Sequence, residues 1–314
     1  MTRPTVLMPT PMHPIVMDGC AEHFELLRLW EAADPDALLT ERGPDVRGVS
    51  TGGVRPIDGA FLDRLPAVQI VANFGVGYDS VDVAAATERG VVVTNTPGVL
   101  DDEVADTAMA LLLMAVRELG QAERYLRAGR WEAEGNYPLT LATMKGRRLG
   151  ILGLGRIGEA IARRAEAFGM TVGYHNRRSK DVPYTYHPSL LEMARDVDTL
   201  MVVVPGGEAT RHLVDAEVLA ALGPDGILIN IGRGTVVDEA ALIEALRSRT
   251  ILSAGLDVYE NEPHVPQELI ELDNAVLLPH VGSGSEPTRR AMGQLVVDNL
   301  VSWFEKGKAL TPVN

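Results

Sequence analysis

The sequence has little cysteine and no long apolar run. Its 314 residues include a single cysteine, Cys20, which excludes an internal disulfide framework and favours a reducing compartment. No stretch approaches the roughly 18 apolar residues of a membrane helix, and Met1 to Pro14 lack the apolar core of a signal peptide. We therefore expect a cytoplasmic protein without a membrane partner.

Metal-ligand spacing and excess positive charge are also missing. The seven histidines form no H-E-x-x-H pair, and no paired cysteines are present, so the sequence predicts no metal site. The chain has 29 Lys and Arg residues against 43 Asp and Glu residues, a net charge of −14. Such a surface repels nucleic acid and anionic lipid, and neither is expected as a partner.

Short apolar runs alternate with helical patterns along the chain, which predicts an α/β fold with parallel sheets covered on both faces. The predicted strands are Val6–Met8, Val68–Asn73, Val91–Thr94, Arg148–Leu152, Thr171–Tyr174, Thr199–Val204, Ile227–Ile231, Ser253–Asp257 and Val276–Leu278. The predicted helices include Cys20–Ala32, Asp102–Leu119, Ile157–Phe168, Asp238–Leu246 and Glu286–Glu305.

The length and the mid-chain position of a glycine motif at residue 153 predict two domains. We expect two Rossmann-like, doubly wound domains with a cleft between them, where small ligands tend to bind. Residues 1–99 and 287–314 would form a flavodoxin-like substrate-binding domain. Residues 100–286 would form a dinucleotide-binding Rossmann domain.

The motif Gly153-Leu154-Gly155-Arg156-Ile157-Gly158 follows an apolar run and opens a helical pattern. This context is typical of the dinucleotide fingerprint, in which glycines allow the tight turn, the approach of the pyrophosphate and close helix packing. The predicted cofactor-binding residues are Gly153, Leu154, Gly155, Arg156 and Ile157. The alternative is an ordinary glycine-rich turn.

The next predicted strand runs into His175-Asn176-Arg177-Arg178-Ser179-Lys180, with no acid before Asp181. NAD sites usually carry Asp or Glu here for the ribose 2′-hydroxyl, whereas basic residues can bind a 2′-phosphate. The sequence therefore predicts NADP as cofactor, with NADPH preferred over NADH, and contacts from Asn176, Arg177, Arg178 and Ser179. The alternative is a solvated basic turn.

Three polar residues follow predicted strand ends in the C-terminal half: Arg233, Glu262 and His280. Ligands bind at the carboxyl ends of strands in open α/β sheets. There a guanidinium can hold a carboxylate, an imidazolium can give a proton to a ketone oxygen, and a carboxylate can orient that imidazolium. Taken singly, each residue is more often structural, whereas the three together fit a structural and a functional interpretation equally well.

The motifs GLGRIG, NIGRG, DVYENEP and PHVGS, in this order, resemble the D-isomer-specific 2-hydroxyacid dehydrogenase family, and within it the NADPH-dependent glyoxylate/hydroxypyruvate reductases. The resemblance covers essentially the whole chain. It implies catalytic roles for Arg233, Glu262 and His280, with Arg233 and His280 also binding substrate beside the backbone of Val76 and Gly77. It implies further cofactor contacts at Thr107, Pro205, Thr210, Ile231, Asp257 and Ser283.

The chain departs from the family pattern at Gly206-Gly207, where a polar pair is more usual, and at Ser283-Gly284-Ser285. The resemblance also implies a homodimer, because the segment Arg124–Trp131 matches one that packs on a partner subunit in the family. The alternative for Trp131 is packing within its own chain.

The expected activity is hydride transfer from NADPH to a small, glyoxylate- or hydroxypyruvate-like 2-keto acid, giving the D-2-hydroxy acid. Two alternatives stay open. One is reduction of a larger 2-keto acid of the phenylpyruvate or 2-ketogluconate type. The other is a nucleotide-sensing interaction protein on the same fold.

Overall fold

The computed structural model describes residues 3–53 and 55–314. These residues form two compact units. One comprises the described residues up to Leu100 together with Ser285–Asn314, and the other comprises Asp101–Gly284. Each unit is built on one parallel sheet, so the expected α/β class with two parallel-sheet units is confirmed.

The first unit has five parallel strands in the order β2-β1-β3-β4-β5. Its strands are β1 (Thr5–Met8), β2 (Glu25–Arg28), β3 (Val46–Thr51), β4 (Ile70–Asn73) and β5 (Val92–Thr94). Neighbouring residues of β1 face opposite layers, since Leu7 packs in one apolar cluster and Val6 and Met8 pack in another. The sheet is thus buried on both faces, as parallel sheets require.

The second unit has seven parallel strands in the order β12-β11-β10-β9-β6-β7-β8. Its strands are β6 (Arg148–Leu152), β7 (Thr171–His175), β8 (Thr185–Tyr186), β9 (Thr199–Val202), β10 (Ile227–Asn230), β11 (Ser253–Leu256) and β12 (Ala275–Leu277). The strand order reverses between β6 and β9. At such a reversal the loops leaving the carboxyl ends of the two strands diverge and open a ligand-binding crevice.

Helices cover both sheets. Those of the described residues are α1 (Pro14–His23), α2 (Pro35–Arg42), α3 (Gly59–Asp63), α4 (Val83–Glu88), α5 (Asp101–Arg117), α6 (Leu119–Arg127), α7 (Arg130–Glu134), α8 (Arg156–Ala167), α9 (Leu190–Asp196), α10 (Ala216–Leu222), α11 (Glu239–Arg247), α12 (Gln267–Ile270) and α13 (Glu286–Lys306). Many begin at an Asp or Ser whose side chain accepts an N–H of the first turn. In the part of the chain that the structure describes, none has the length and apolarity of a membrane span.

The predicted helix Cys20–Ala32 is wrong. Helix α1 begins at Pro14, capped by the His13 side chain, and ends at His23. The chain then enters β2, which pairs with β1. The periodicity was misleading because the short apolar run after His23 fits a helix face and a strand equally well. Strands β2, β3 and β8 were also missed.

Candidate active site

The fingerprint turn after β6 has the geometry that its glycines predict. Gly153 has a φ of +100°, and a Cβ there would lie 2.8 Å from the Val204 side chain. Gly158 lets helix α8 rest on the turn, because a Cβ there would lie 2.6 Å from the Gly153 carbonyl oxygen. Arg156 and Ile157 are the first two residues of α8. Turn and helix are therefore joined as tightly as the phosphate-binding motif requires.

Gly155 leaves an open space at the start of α8. A Cβ at this position would meet no atom within 4 Å, and no side chain among the described residues caps the helix. The first N–H groups of α8, and the positive end of its dipole, are therefore available to an anion. The residues present fit a dinucleotide pyrophosphate.

Leu154 and Asn176, both predicted to contact the cofactor, bind each other. The Leu154 N–H donates to Asn176 Oδ1 at 2.7 Å, and Asn176 Nδ2 donates to the Leu154 carbonyl at 3.3 Å. Any contact of Leu154 with a cofactor therefore involves another part of the residue. Asn176 ties the turn after β7 to the fingerprint turn after β6.

The basic turn after β7 displays Arg177, Arg178 and Ser179 on the surface. Within residues 3–53 and 55–314, neither arginine has a hydrogen bond or an ion pair, so both guanidinium groups are available to an anion. The turn itself is anchored, since the Tyr186 hydroxyl donates to the Asn176 carbonyl at 3.3 Å. An anchored turn with two available guanidinium groups fits a 2′-phosphate better than a mobile solvated turn would.

The loop after β9 explains one departure from the family pattern. Gly207 has a φ of +118°, a region that disfavours the usual polar residues. The Thr210 hydroxyl donates to the Pro205 carbonyl at 2.8 Å and lies 3.1 Å from the Gly207 carbonyl oxygen. Thr210 thus closes the loop that begins at Pro205. Ile231, which directly follows β10, is buried.

Arg233 stands on a turn that the buried Asn230 side chain shapes. Asn230 Oδ1 accepts the Gly232 N–H at 3.0 Å, and its Nδ2 donates to the Arg233 carbonyl at 2.9 Å. A Cβ on Gly234 would lie 1.8 Å from the backbone of Tyr259. Gly234 is therefore needed for the contact between these two loops.

Glu262 and His280 form a direct pair. His280 Nδ1 lies 2.7 Å from Glu262 Oε2, and Glu262 Oε1 accepts the Tyr259 N–H at 3.1 Å. The His280 side chain is 48% exposed and the Glu262 side chain is 34% exposed. With Nδ1 held by Glu262, Nε2 is the ring nitrogen left to face a reactant.

The charge of Glu262 is stabilised by its neighbours. Burial raises the pKa of Glu262, but the hydrogen bond and charge of His280, the Tyr259 N–H and the Arg233 charge outweigh it. The net result is a pKa below the usual glutamate value. Glu262 is therefore a carboxylate at neutral pH, and its charge lies directly beside Nδ1 of His280.

Asp257 holds the loop that carries His280. Its buried carboxylate accepts the N–H groups of Val281 and Gly282, each at 2.7 Å, and its carbonyl accepts the His280 N–H at 2.9 Å. Burial raises the pKa of Asp257, and these N–H donors only partly oppose that effect. His280 has a φ of +52°, a left-handed conformation that costs about 1 kcal/mol or more in a non-glycine residue. The sequence named Asp257 only as a cofactor contact and missed this role.

Thr107 contacts the loop that carries His280, at the residue before Ser283. The Thr107 hydroxyl on α5 lies 3.1 Å from the Glu103 carbonyl and 3.2 Å from the Gly282 carbonyl. It therefore contacts the residue directly before Ser283.

The loop after β4, in the first unit, presents the backbone of Val76 and Gly77. The carbonyls of both residues accept side-chain amides, from Asn95 at 2.9 Å and from Asn73 at 2.9 Å. Among the described residues, neither N–H donates to another group. Two adjacent N–H donors on a loop fixed through its carbonyls form a suitable site for a carboxylate.

Among residues 3–53 and 55–314, no group of three or more His, Cys, Asp or Glu side chains is arranged to hold a metal ion.

Residues 109–282 match the family model described as the NAD-binding domain of the D-isomer-specific 2-hydroxyacid dehydrogenases. Among solved structures, the chain is similar to the NADPH-dependent glyoxylate/hydroxypyruvate reductase of Sinorhizobium meliloti in complex with NADP and malonate. The two are 54% identical with a TM-score of 0.95, over 99% of this chain and 97% of the other.

Two plant enzymes are similar along almost the whole length. Glyoxylate/hydroxypyruvate reductase A of Arabidopsis thaliana is 46% identical, over 98% of each chain. Hydroxyphenylpyruvate reductase of Plectranthus scutellarioides is 44% identical, also over 98% of each chain.

We predict that Asp257→Asn destabilises the second unit. An amide cannot accept two N–H groups in the place of this carboxylate, so at least one charge-assisted hydrogen bond is lost, at a cost of about 1.5–3 kcal/mol. Thermal unfolding should show a lower midpoint than the wild type. Asp225→Asn, at an exposed position in the same unit, is the matched control, and equal midpoints for the two variants would contradict the positioning role.

Proposed function

Since this chain belongs to the D-isomer-specific 2-hydroxyacid dehydrogenase family, we propose that it reduces a small 2-keto acid with NADPH, giving the D-2-hydroxy acid. Glyoxylate and hydroxypyruvate are the proposed substrates. The observation that carries the proposal is the Glu262–His280 pair, at 2.7 Å, at the carboxyl edge of a sheet whose fingerprint turn fits a dinucleotide. We assign substrate binding to the first unit and dinucleotide binding to the second.

His280 is the proposed acid and base. The cofactor, when bound, supplies the hydride that the carbonyl carbon accepts. His280 Nε2 delivers the proton to the carbonyl oxygen in reduction and removes it in the reverse direction. Glu262 fixes the ring through Nδ1 and stabilises its positive charge. His280 thus needs its proton in reduction and must lack it in oxidation.

Arg233 is the proposed binding group for the substrate carboxylate in the second unit, and the N–H groups of Val76 and Gly77 are the proposed binding groups in the first. A guanidinium can hold a carboxylate by two parallel hydrogen bonds, which a lysine cannot reproduce. The N–H groups of Val76 and Gly77 are directional hydrogen-bond donors and carry no positive charge. A carboxylate held in this way presents the neighbouring keto group in a defined orientation.

A larger 2-keto acid is the second candidate substrate. The plant hydroxyphenylpyruvate reductase is nearly as similar to this chain as the plant glyoxylate/hydroxypyruvate reductase is. The two candidates share the carboxylate and keto groups and differ in the side chain, so the proposed catalytic residues serve both. The nucleotide-sensing alternative predicts nucleotide binding without turnover.

Arg177 and Arg178 are the proposed basis for NADPH preference. Both are exposed and without a partner among the described residues. The 2′-phosphate carries about −1.5 to −2 charges at neutral pH, and its oxygens match the donor geometry of a guanidinium. NADH offers only a neutral hydroxyl at this place.

The proposed assembly is a homodimer. Five large apolar side chains on or just after helices α6 and α7 are substantially exposed: Leu119, Leu126, Trp131, Leu139 and Leu141. Leu139 and Leu141 are 95% and 85% exposed. Apolar patches of this kind are typical of protein interfaces. The exposure of Trp131 also argues against its packing within its own chain.

We predict that purified protein oxidises NADPH with glyoxylate or hydroxypyruvate, and that His280→Gln lowers turnover by about 100-fold or more. Phenylpyruvate and 2-ketogluconate in the same assay distinguish the second candidate. Nucleotide binding without oxidation of NADPH by any of these acids would favour the sensor.

We predict that Glu262→Gln shifts the pH profile of reduction. Reduction needs the proton on His280, and without the carboxylate that holds Nδ1 the fall in rate with rising pH should begin at a lower pH. The pKa of Glu262 lies below its usual value, so the wild type carries this charge throughout a profile measured around neutral pH. A parallel loss of rate at every pH would contradict the electrostatic role.

We predict that the ratio of kcat/KM for NADPH to that for NADH is at least about ten, and that it falls in Arg177→Ala/Arg178→Ala. Added salt should reduce the ratio, because both guanidinium groups are exposed. Equal use of the two cofactors would contradict the assignment. Arg195→Ala, on α9, is a control for the loss of a surface positive charge.

We predict that Trp131→Glu/Leu139→Asp dissociates the dimer without unfolding it. Charges buried at an apolar interface cost several kcal/mol, whereas both positions are exposed in the single chain. Sedimentation analysis should give a dimer for the wild type and a monomer for the variant. Phe168→Glu, an exposed apolar residue elsewhere, should remain dimeric.

A further inference from the structure

We propose that Lys180 sets the preference for a 2′-phosphorylated nucleotide without touching the phosphate. It does so by neutralising Glu159 and fastening the basic turn to the fingerprint turn. This inference rests on the proposed function, and it names a positioning residue that the basic sequence run does not distinguish from its neighbours.

The Lys180 ammonium is already occupied. It donates to the Leu154 carbonyl at 3.1 Å and forms an ion pair with the Glu159 carboxylate. Leu154 belongs to the fingerprint turn and Glu159 to the first turns of α8. One side chain from the loop after β7 therefore reaches both parts of the pyrophosphate-binding motif.

The backbone of Lys180 is held as firmly as its side chain. The hydroxyl of Tyr174, which is 1% exposed, accepts the Lys180 N–H at 2.7 Å and lies 3.2 Å from the Lys180 carbonyl oxygen. With Asn176 also bound to Leu154, both ends of the basic turn are fastened. A lysine whose backbone and ammonium group are both bound is less available to a ligand than Arg177 and Arg178 are.

Glu159 is the group that makes this arrangement necessary. Acidic residues near a helix N-terminus interact favourably with the helix dipole, but here the carboxylate lies at the turn proposed to bind phosphates. Without a counter-charge it would repel a 2′-phosphate. Lys180 cancels that charge, and Arg177 and Arg178 remain available for the ligand.

We predict different nucleotide preferences for Lys180→Met and for the double variant Lys180→Met/Glu159→Gln. The probes are adenosine 2′,5′-bisphosphate and adenosine 5′-monophosphate, and the measured quantity is the ratio of their Kd values by calorimetry. Lys180→Met should lower the preference for the bisphosphate about fivefold or more, as expected for one unmasked, partly screened charge. Lys180→Met/Glu159→Gln should restore the preference, because no charge is left to mask.

The control is Arg163→Met, which removes one positive charge from the exposed face of α8 and should leave the preference unchanged. A preference lost equally in Lys180→Met and in the double variant would mean that Lys180 binds the phosphate directly and would overturn the inference. An unchanged preference in Lys180→Met would overturn it as well. A wild type that binds both probes equally would contradict the proposed NADPH preference itself, and this inference with it.

Discussion

Asp257 directly follows the buried strand β11, and the residue is 2% exposed. A carboxylate is stable in such a place only if donors surround it, and here they are the N–H groups of the two residues after His280. The loop after β12 must therefore lie against the end of β11. This restraint places His280 in a left-handed conformation, from which its Nδ1 meets Glu262. The position of the proposed acid beside its carboxylate partner depends on that one buried charge.

The chain carries a net charge of −14, yet both proposed ligands are anions. Binding of an anion depends on the charges close to it, because screening limits the range of an exposed charge to about 8 Å at physiological salt. Each anionic group has its own proposed donors. The start of α8 is proposed for the pyrophosphate, Arg177 and Arg178 for the 2′-phosphate, and Arg233 for the substrate carboxylate. Net charge governs partners the size of nucleic acids, whereas small ligands respond to the donors they meet.

The sequence alone predicted the features that depend on local rules. Glycines at 153 and 158 indicate the turn because backbone sterics allow few other residues there, and long helices such as α5 and α13 follow from their periodicity. Short elements failed for the opposite reason. Strand β2 exists because β1 lies beside it, and its four residues hold too little pattern to exclude a helix. The resemblance to a family identified most of the proposed site residues, but it did not indicate which groups each of them contacts.

The roles within that list come from tertiary contacts. The run His175–Lys180 reads as one basic segment, yet the structure divides it. Asn176 and Lys180 are bound to the fingerprint turn, and Arg177 and Arg178 face solvent. The division depends on Glu159, which lies 21 positions before Lys180 in the chain, and on the buried Tyr174 hydroxyl. A count of positive charges would treat the lysine and the arginines alike. The contacts distinguish them: Arg177 and Arg178 are available to an anion, whereas Lys180 is bound to Leu154 and Glu159.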